Sequence, residues 1–258
     1  MRIVFVGAGN VATHLAIALD EIHDVMQVYS KQFDNAQRLT SKLKNAIPTN
    51  KLDDITTNAD LYIVSVKDDA ISQVVDAVTF STGLWVHTSG SVSIDVLKRR
   101  FIRCGVLYPL QTFSRETSVE ISQVPFFVEG SDCESEKTIE NIAKELSNIV
   151  QKADSAQRSK LHIAAVFGCN FVNYLWSQSS EILASAGYDF NVLLPLIKVT
   201  IDKAVAITPF RGQTGPARRG DLETMKVHEQ MLPQEQANLY RILSQCIMKK
   251  YNIENEQN

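Results

Sequence analysis

The 258-residue sequence predicts an α/β Rossmann domain with a doubly wound, mostly parallel sheet, followed by an all-α C-terminal domain. Three observations predict it. Short apolar runs alternate with amphipathic stretches through the first half. A glycine-rich turn joins the first such run to the first helical stretch. Strand-like alternation then stops near Ala153, and only helical spacing follows. The expected domains are residues 1–153 and 154–258.

The elements are expected in this order. Arg2 to Val6 is a strand. Asn10 to Asp20 has helical spacing, with Val11, Leu15, Ala18 and Leu19 apolar. Asp24 to Tyr29 is the second strand, and Phe33 to Leu43 an amphipathic helix. Leu61 to Val66 is the third strand, with a helix from Ala70 to Val78. Leu84 to His87, Gly105 to Tyr108 and Pro125 to Val128 are further strands. Glu134 to Ile149 closes the first half as a helix. The second half holds a long proline-free helix from Ser155 to Ala186, then helices over Asn191 to Ile207, Asp221 to Met231 and Pro233 to Tyr251. The polar end, Glu254 to Asn258, is expected to fray.

Composition excludes several function classes. A net charge of -3 and a pI near 6.0 provide no basic field, so no nucleic-acid partner is expected. No apolar run approaches ~18 residues, so no membrane span is expected. Cys104, Cys133, Cys169 and Cys246 show no CxxC or zinc-finger spacing and read as free thiols in a reducing compartment. No charged leader precedes the first strand, and the expected location is cytoplasmic. A metal site from His162, Cys169 and His228 has no supporting ligand spacing.

Glycine is scarce, 11 in all, so its placement is informative. Gly7-Ala8-Gly9-Asn10-Val11-Ala12 has the form GxGxxA, directly after a strand and opening a helix. Gly7 permits the tight turn, Gly9 lets a pyrophosphate approach the backbone, and Ala12 permits close helix–strand packing. The helix N-terminus adds unpaired N–H groups and a positive dipole end. Gly7, Ala8, Gly9, Asn10 and Val11 are therefore candidate cofactor contacts. The second strand ends Val28-Tyr29-Ser30-Lys31, without the acidic residue that an NAD site places on the ribose. Ser30 and Lys31 suit a 2′-phosphate, and NADP is the expected cofactor.

Other strand ends are polar, and ligands of parallel sheets lie beyond the strands' carboxyl ends. Val66 and Lys67 follow the third strand and are expected to flank the cofactor, as is His87. Thr88, Ser89 and Gly90 suit a substrate carboxylate or the nicotinamide amide. Tyr108-Pro109-Leu110-Gln111-Thr112-Phe113 offers a rigid loop under the nicotinamide.

In the helical half, His162, Asn170 and Asn173 stand among apolar neighbours. At ~100° per residue, Asn173 lies about 20° and Asn170 about 80° from His162, so the three share a sector. Lys160 falls about 160° away. Imidazoles titrate near neutrality as a class, which makes His162 the candidate proton donor, with Asn170 and Asn173 orienting. Arg218 and Arg219, in the glycine-rich segment from Arg211 to Asp221, are candidate carboxylate ligands.

GAGNVA, the VYSK strand end, HTSG, YPLQTF, the run from His162 through Asn173, and TGPARRGD with its following His228 together resemble the Rossmann-like proteins with a C-terminal DUF2520 domain. These are related to the 6-phosphogluconate dehydrogenase-like reductases, including pyrroline-5-carboxylate and ketopantoate reductases. The resemblance implies an NADP-dependent reductase of a small acid, with 2-dehydropantoate the leading substrate. It also implies a helical domain that often dimerises, and a homodimer is expected. The helical-domain lysine that donates a proton in better-known ketopantoate reductases has no counterpart facing His162, since Lys160 points away. Prephenate- or pyrroline-carboxylate-type oxidoreduction, suggested by YPLQTF, and a non-catalytic NADP sensor are the competing readings.

Overall fold

A computed structural model describes residues 1–114 and 117–253. The polar end that was expected to fray lies outside them. Two compact units are present, Met1–Asn170 and Phe171–Asn258.

The first unit is built on an eight-stranded sheet of order β3-β2-β1-β4-β5-β6-β7-β8. The strands are β1 (Arg2–Val6), β2 (Asp24–Tyr29), β3 (Ile47–Thr49), β4 (Leu61–Val64), β5 (Leu84–His87), β6 (Cys104–Pro109), β7 (Phe126–Gly130) and β8 (Val150–Lys152). All pairings are parallel except β6 with β7. Helices α1 (Asn10–Asp20), α2 (Phe33–Thr40), α3 (Asp68–Ala77), α4 (Asp95–Lys98) and α5 (Cys133–Leu146) complete the winding. Successive residues of β1 show why the winding is double. Ile3 and Phe5 enter one core with Leu15, Leu19 and Ile139, while Val4 and Val6 enter another with Ile71, Val75 and Trp85. Strands covered on both faces become continuously apolar, as β4 and β5 are.

Every strand expected from the sequence is present. β3 and β8 were not expected, because three residues are too few to display a periodicity. The antiparallel β7 reverses direction after a long connection and carries Glu129 near its end.

α6 (Ser155–Ala165), which the sequence reading assigned to the second domain, belongs to the first unit. Leu161 packs on the core beneath it, and Arg158 is fully buried. The long helix expected from Ser155 to Ala186 is broken. A π-helical stretch, Val166–Asn170, separates α6 from α7 (Phe171–Ser185). Gly168 lies inside that stretch, and glycine has the weakest helix preference of any residue but proline. The bonding there is i→i+5, so the ~100° phase used for His162, Asn170 and Asn173 does not carry across it.

The second unit is all helix: α7, α8 (Leu194–Ile207), α9 (Pro209–Gly212), α10 (Pro216–Arg219), α11 (Leu222–Met231) and α12 (Gln234–Lys250). Ala217, Met225, Met248 and Ile253 form its small core. Among the described residues no helix is long and apolar enough to cross a membrane.

Candidate functional site

The glycine loop holds the geometry its spacing implies. Gly7 adopts φ +129° with its backbone against β4. A Cβ there would stand 2.1 Å from the Ser65 carbonyl oxygen and 3.1 Å from Val66 Cγ1. Only glycine fits so tight a turn. Gly9 is the opposite case: a Cβ there would meet nothing within 4 Å. Gly9 N-caps α1, and no side chain caps the first N–H groups of the helix. Ala12 is fully buried where α1 meets the sheet. The cradle fits a pyrophosphate.

Beside the loop, Ala8, Thr13, Asn35, Arg38, Leu39 and Lys42 line a shallow cavity. Arg38, on α2, and Lys42, two residues past its end, are exposed cations that the sequence reading did not select. Their signal is faint, because they follow the strand end by more than a helical turn. Lys31 is exposed and Ser30 half-buried, and the Ser30 N–H donates to the Thr49 carbonyl at 3.0 Å. β3 thus fixes the end of β2. Asn10 turns its amide away from the cradle and donates to the Phe113 carbonyl at 3.0 Å. His14 Nε2 lies 2.8 Å from the Ser114 carbonyl oxygen. These contacts tie the loop after β6 to α1. Val11 and Val66 are half-buried beside the cradle, and Lys67 is exposed at the start of α3.

A second constellation forms at the end of β5. Arg158 is fully buried. Its Nε donates to the Ser89 carbonyl at 3.1 Å, one terminal nitrogen to the Val92 carbonyl, and the other to the Glu129 carboxylate. Ser155 donates to the same carboxylate at 2.9 Å, and its oxygen accepts from the Ile94 N–H at 3.1 Å. The first turn of α6 is itself held by a capping box between Asp154 and Gln157. The loop from Thr88 to Ile94 is thereby bound to α6. One turn beyond Arg158, His162 lies on the same helix face. Its Nδ1 is 3.1 Å from the Tyr108 hydroxyl. Gly90 closes the group: a Cβ there would stand 2.7 Å from Tyr108 Cζ and 2.9 Å from His162 Cβ. Gly90, Tyr108 and His162 therefore meet at van der Waals contact.

Residues 1–111 match the family model of a Rossmann-like domain, and residues 124–247 that of DUF2520, a domain of unknown function. A Bacteroides fragilis protein named as a candidate NADP oxidoreductase, BF3122, is 39% identical. The alignment covers 96% of this chain and 98% of that one, with a TM-score of 0.90. The chain belongs to this family of Rossmann-like DUF2520 proteins. Protein TM1727 from Thermotoga maritima, at 22% identity, covers 94% of this chain and 99% of its own, with a TM-score of 0.71. A reductive aminase from Aspergillus terreus, solved with NADPH and ethyl levulinate, is 14% identical, with 96% and 94% coverage and a TM-score of 0.72. Both share the fold. No curated protein matches the sequence.

In this DUF2520 protein several expected roles change. His87, an expected cofactor contact, is fully buried. Its Nδ1 accepts the Ser89 N–H at 3.2 Å, and among the described residues Nε2 has no partner within hydrogen-bond distance and geometry. Burial, then the positive charge of Arg158, pushes its pKa down to about 3. Ser89 is also committed: its hydroxyl oxygen accepts the Ser91 and Val92 N–H groups at 3.1 and 3.0 Å. It shapes the loop from inside. Thr88 is buried, donating to Ser65 Oγ at 3.1 Å. Asn170 is exposed at the end of the π stretch, and Asn173 is exposed on α7. With the α-helical phase broken between them and His162, the periodicity no longer assigns them to its sector. In the second unit, Arg218 lies over the Tyr251 ring at 4.6 Å while Arg219 is exposed. His228 Nδ1 is 2.9 Å from the Tyr240 hydroxyl and braces α11 on α12.

The buried neutral His87 makes a pH prediction. Its folded pKa lies below the unfolded value, so between about 6.5 and about 3 the unfolded chain takes up a proton that the folded one refuses. Stability is therefore lost as pH falls through that window, by on the order of a few kcal/mol. His87→Gln keeps an acceptor for the Ser89 N–H and removes the titration. Chemical denaturation across the window should show a shallower acid decline in the variant than in the parent. Identical declines would contradict the assignment.

Proposed function

We propose that this protein is an NADPH-dependent oxidoreductase that delivers a hydride to a small carbonyl or imine acid, with 2-dehydropantoate the leading substrate. The observation that carries the reading is the glycine cradle, tight at Gly7 and open at Gly9, with Arg38 and Lys42 beside it. A reduced nicotinamide dinucleotide supplies the hydride when bound. The chain's own groups do the rest. The backbone at Gly9 and the first turn of α1 receive the pyrophosphate. Ser30, Lys31, Arg38 and Lys42 favour the 2′-phosphate, and no carboxylate at the β2 end repels it.

Reduction of a carbonyl also requires a proton, and His162 is assigned that role. It is half-buried and held by Tyr108 and Gly90, the arrangement of a positioned rather than a solvated side chain. Arg219, whose guanidinium is not stacked on a ring, is a better candidate carboxylate ligand than Arg218. A homodimer through the helical unit accompanies this reading. α7 and α8 bury no residue, and Tyr174, Leu196, Val199, Ile201 and Val205 are exposed on them.

The test is NADPH oxidation against a panel led by 2-dehydropantoate and including prephenate and pyrroline-5-carboxylate, repeated with NADH. Turnover is expected with NADPH and weaker turnover with NADH. Arg38→Ala should raise the KM for NADPH roughly tenfold, the value of a charge-assisted contact, with little change for NADH. Tight NADPH binding without turnover on any acid would instead favour a sensor. His162→Ala should lower kcat about 10²–10⁴-fold, the range of general acid catalysis. Full turnover in that variant would remove His162 from the mechanism.

A further inference from the structure

Tyr108 stands near the end of β6, 7% exposed, in a strand the sequence reading valued only for the loop that follows it. Its ring packs near Phe127, and Gly90 leaves no space above it. Among the described residues its hydroxyl has a single hydrogen-bond partner, His162 Nδ1 at 3.1 Å. Burial pushes the phenol up to about 12, so it stays protonated and available as a donor through the physiological range.

Which of the two atoms donates follows from satisfaction of the buried group. If Nδ1–H donated to the phenol oxygen, the O–H proton of this 7%-exposed side chain would have no protein acceptor among the described residues, and an unmade bond at a largely buried donor is costly. If the O–H donates to Nδ1, both atoms are satisfied. A neutral imidazole has one N–H, so an acceptor at Nδ1 places the proton on Nε2. Nε2 has no protein partner among the described residues, and His162 is only half-buried.

We propose that Tyr108 is a positioning residue that holds His162 in the Nε2–H tautomer, so that Nε2–H is the donor this site offers to the reacting atom of its substrate. The inference rests on His162 being the proton-handling group of the proposed reductase, and it narrows the substrate class. The reacting atom must accept a hydrogen bond, as a carbonyl oxygen or an unprotonated imine nitrogen does. A preformed iminium nitrogen bears its own proton or carbon substituents and has no lone pair to offer.

The support for Tyr108 is itself fixed. Arg158, four residues before His162, anchors α6 to the loop that carries Gly90 and to Glu129 of β7, which pairs with Val106 two residues before Tyr108.

The test is ¹⁵N NMR of the histidine side chains in the full-length free protein, labelled at histidine, at a pH above the ordinary imidazole range. His162→Gln identifies the His162 signals. The parent is expected to show an unprotonated Nδ1 and a protonated Nε2. Tyr108→Phe keeps the ring and removes only the O–H. It should shift the tautomer ratio roughly fivefold toward Nδ1–H, the effect of one ordinary hydrogen bond. A parent with its proton on Nδ1 would overturn the proposal even if the variant failed to fold. So would a tautomer ratio that Tyr108→Phe leaves unchanged. The spectra need neither cofactor nor substrate, so an absence of NADPH turnover would count against the proposed reaction alone.

Discussion

The candidate site depends on one buried cation. Arg158 reaches from the second turn of α6 into the interior and satisfies its guanidinium on two loop carbonyls and the Glu129 carboxylate. Burying a charge is expensive unless it is paired and fully hydrogen-bonded. Here the pairing couples three segments distant in sequence: the loop after β5, the end of β7 and the start of α6. The register of the antiparallel β7 sets Glu129 level with Val106 of β6, which is itself level with His87 of β5, two residues before Ser89. Hydrophobic packing alone could seat α6 on the sheet, but it would not fix the loop's carbonyls.

From that anchor the remaining geometry follows in short steps. Ser89 is held through its carbonyl by Arg158 and through its N–H by His87, and its hydroxyl bonds the next two N–H groups. The loop can then turn only one way, which brings Gly90 against Tyr108 and His162. His87 remains neutral because it is buried and beside Arg158. The glycine cradle depends on Gly7 meeting Ser65, whose hydroxyl accepts the Thr88 hydroxyl at the start of the same loop.

Much of the fold was legible in the sequence because it is written in local patterns. Strands β1, β2, β4 and β5 are largely apolar runs of four to six residues, and the first three are followed by helical spacing. Gly7 and Gly9 were legible for the same reason: a turn, an approach and a helix start lie within six residues. β3 and β8 were not legible, being too short. The π stretch was not legible either, since a single glycine in an apolar helix is ordinarily tolerated. The site was read unevenly. His162 and Gly90 were selected, but Tyr108, Arg158, Arg38 and Lys42 were not. Arg158 looks in sequence like any charged residue of an exposed helix face. Only its pairing with Glu129, 29 residues earlier, explains its burial. His87 and Ser89 were selected as ligand contacts, and the structure shows them in hydrogen bonds within the loop. Their polarity serves the loop's own hydrogen bonds, which one sequence does not distinguish from contacts to a ligand.

The measurement that tests this account most directly is amide hydrogen exchange in Arg158→Met, a substitution of similar length that removes the charge and its hydrogen bonds. If Arg158 holds the loop to α6, the Ser91 and Val92 amides and the first turns of α6 should lose protection together, while β1 and β4 keep theirs. Protection at Ser91 and Val92 equal to the parent's would contradict the claim that this one buried cation organises the site.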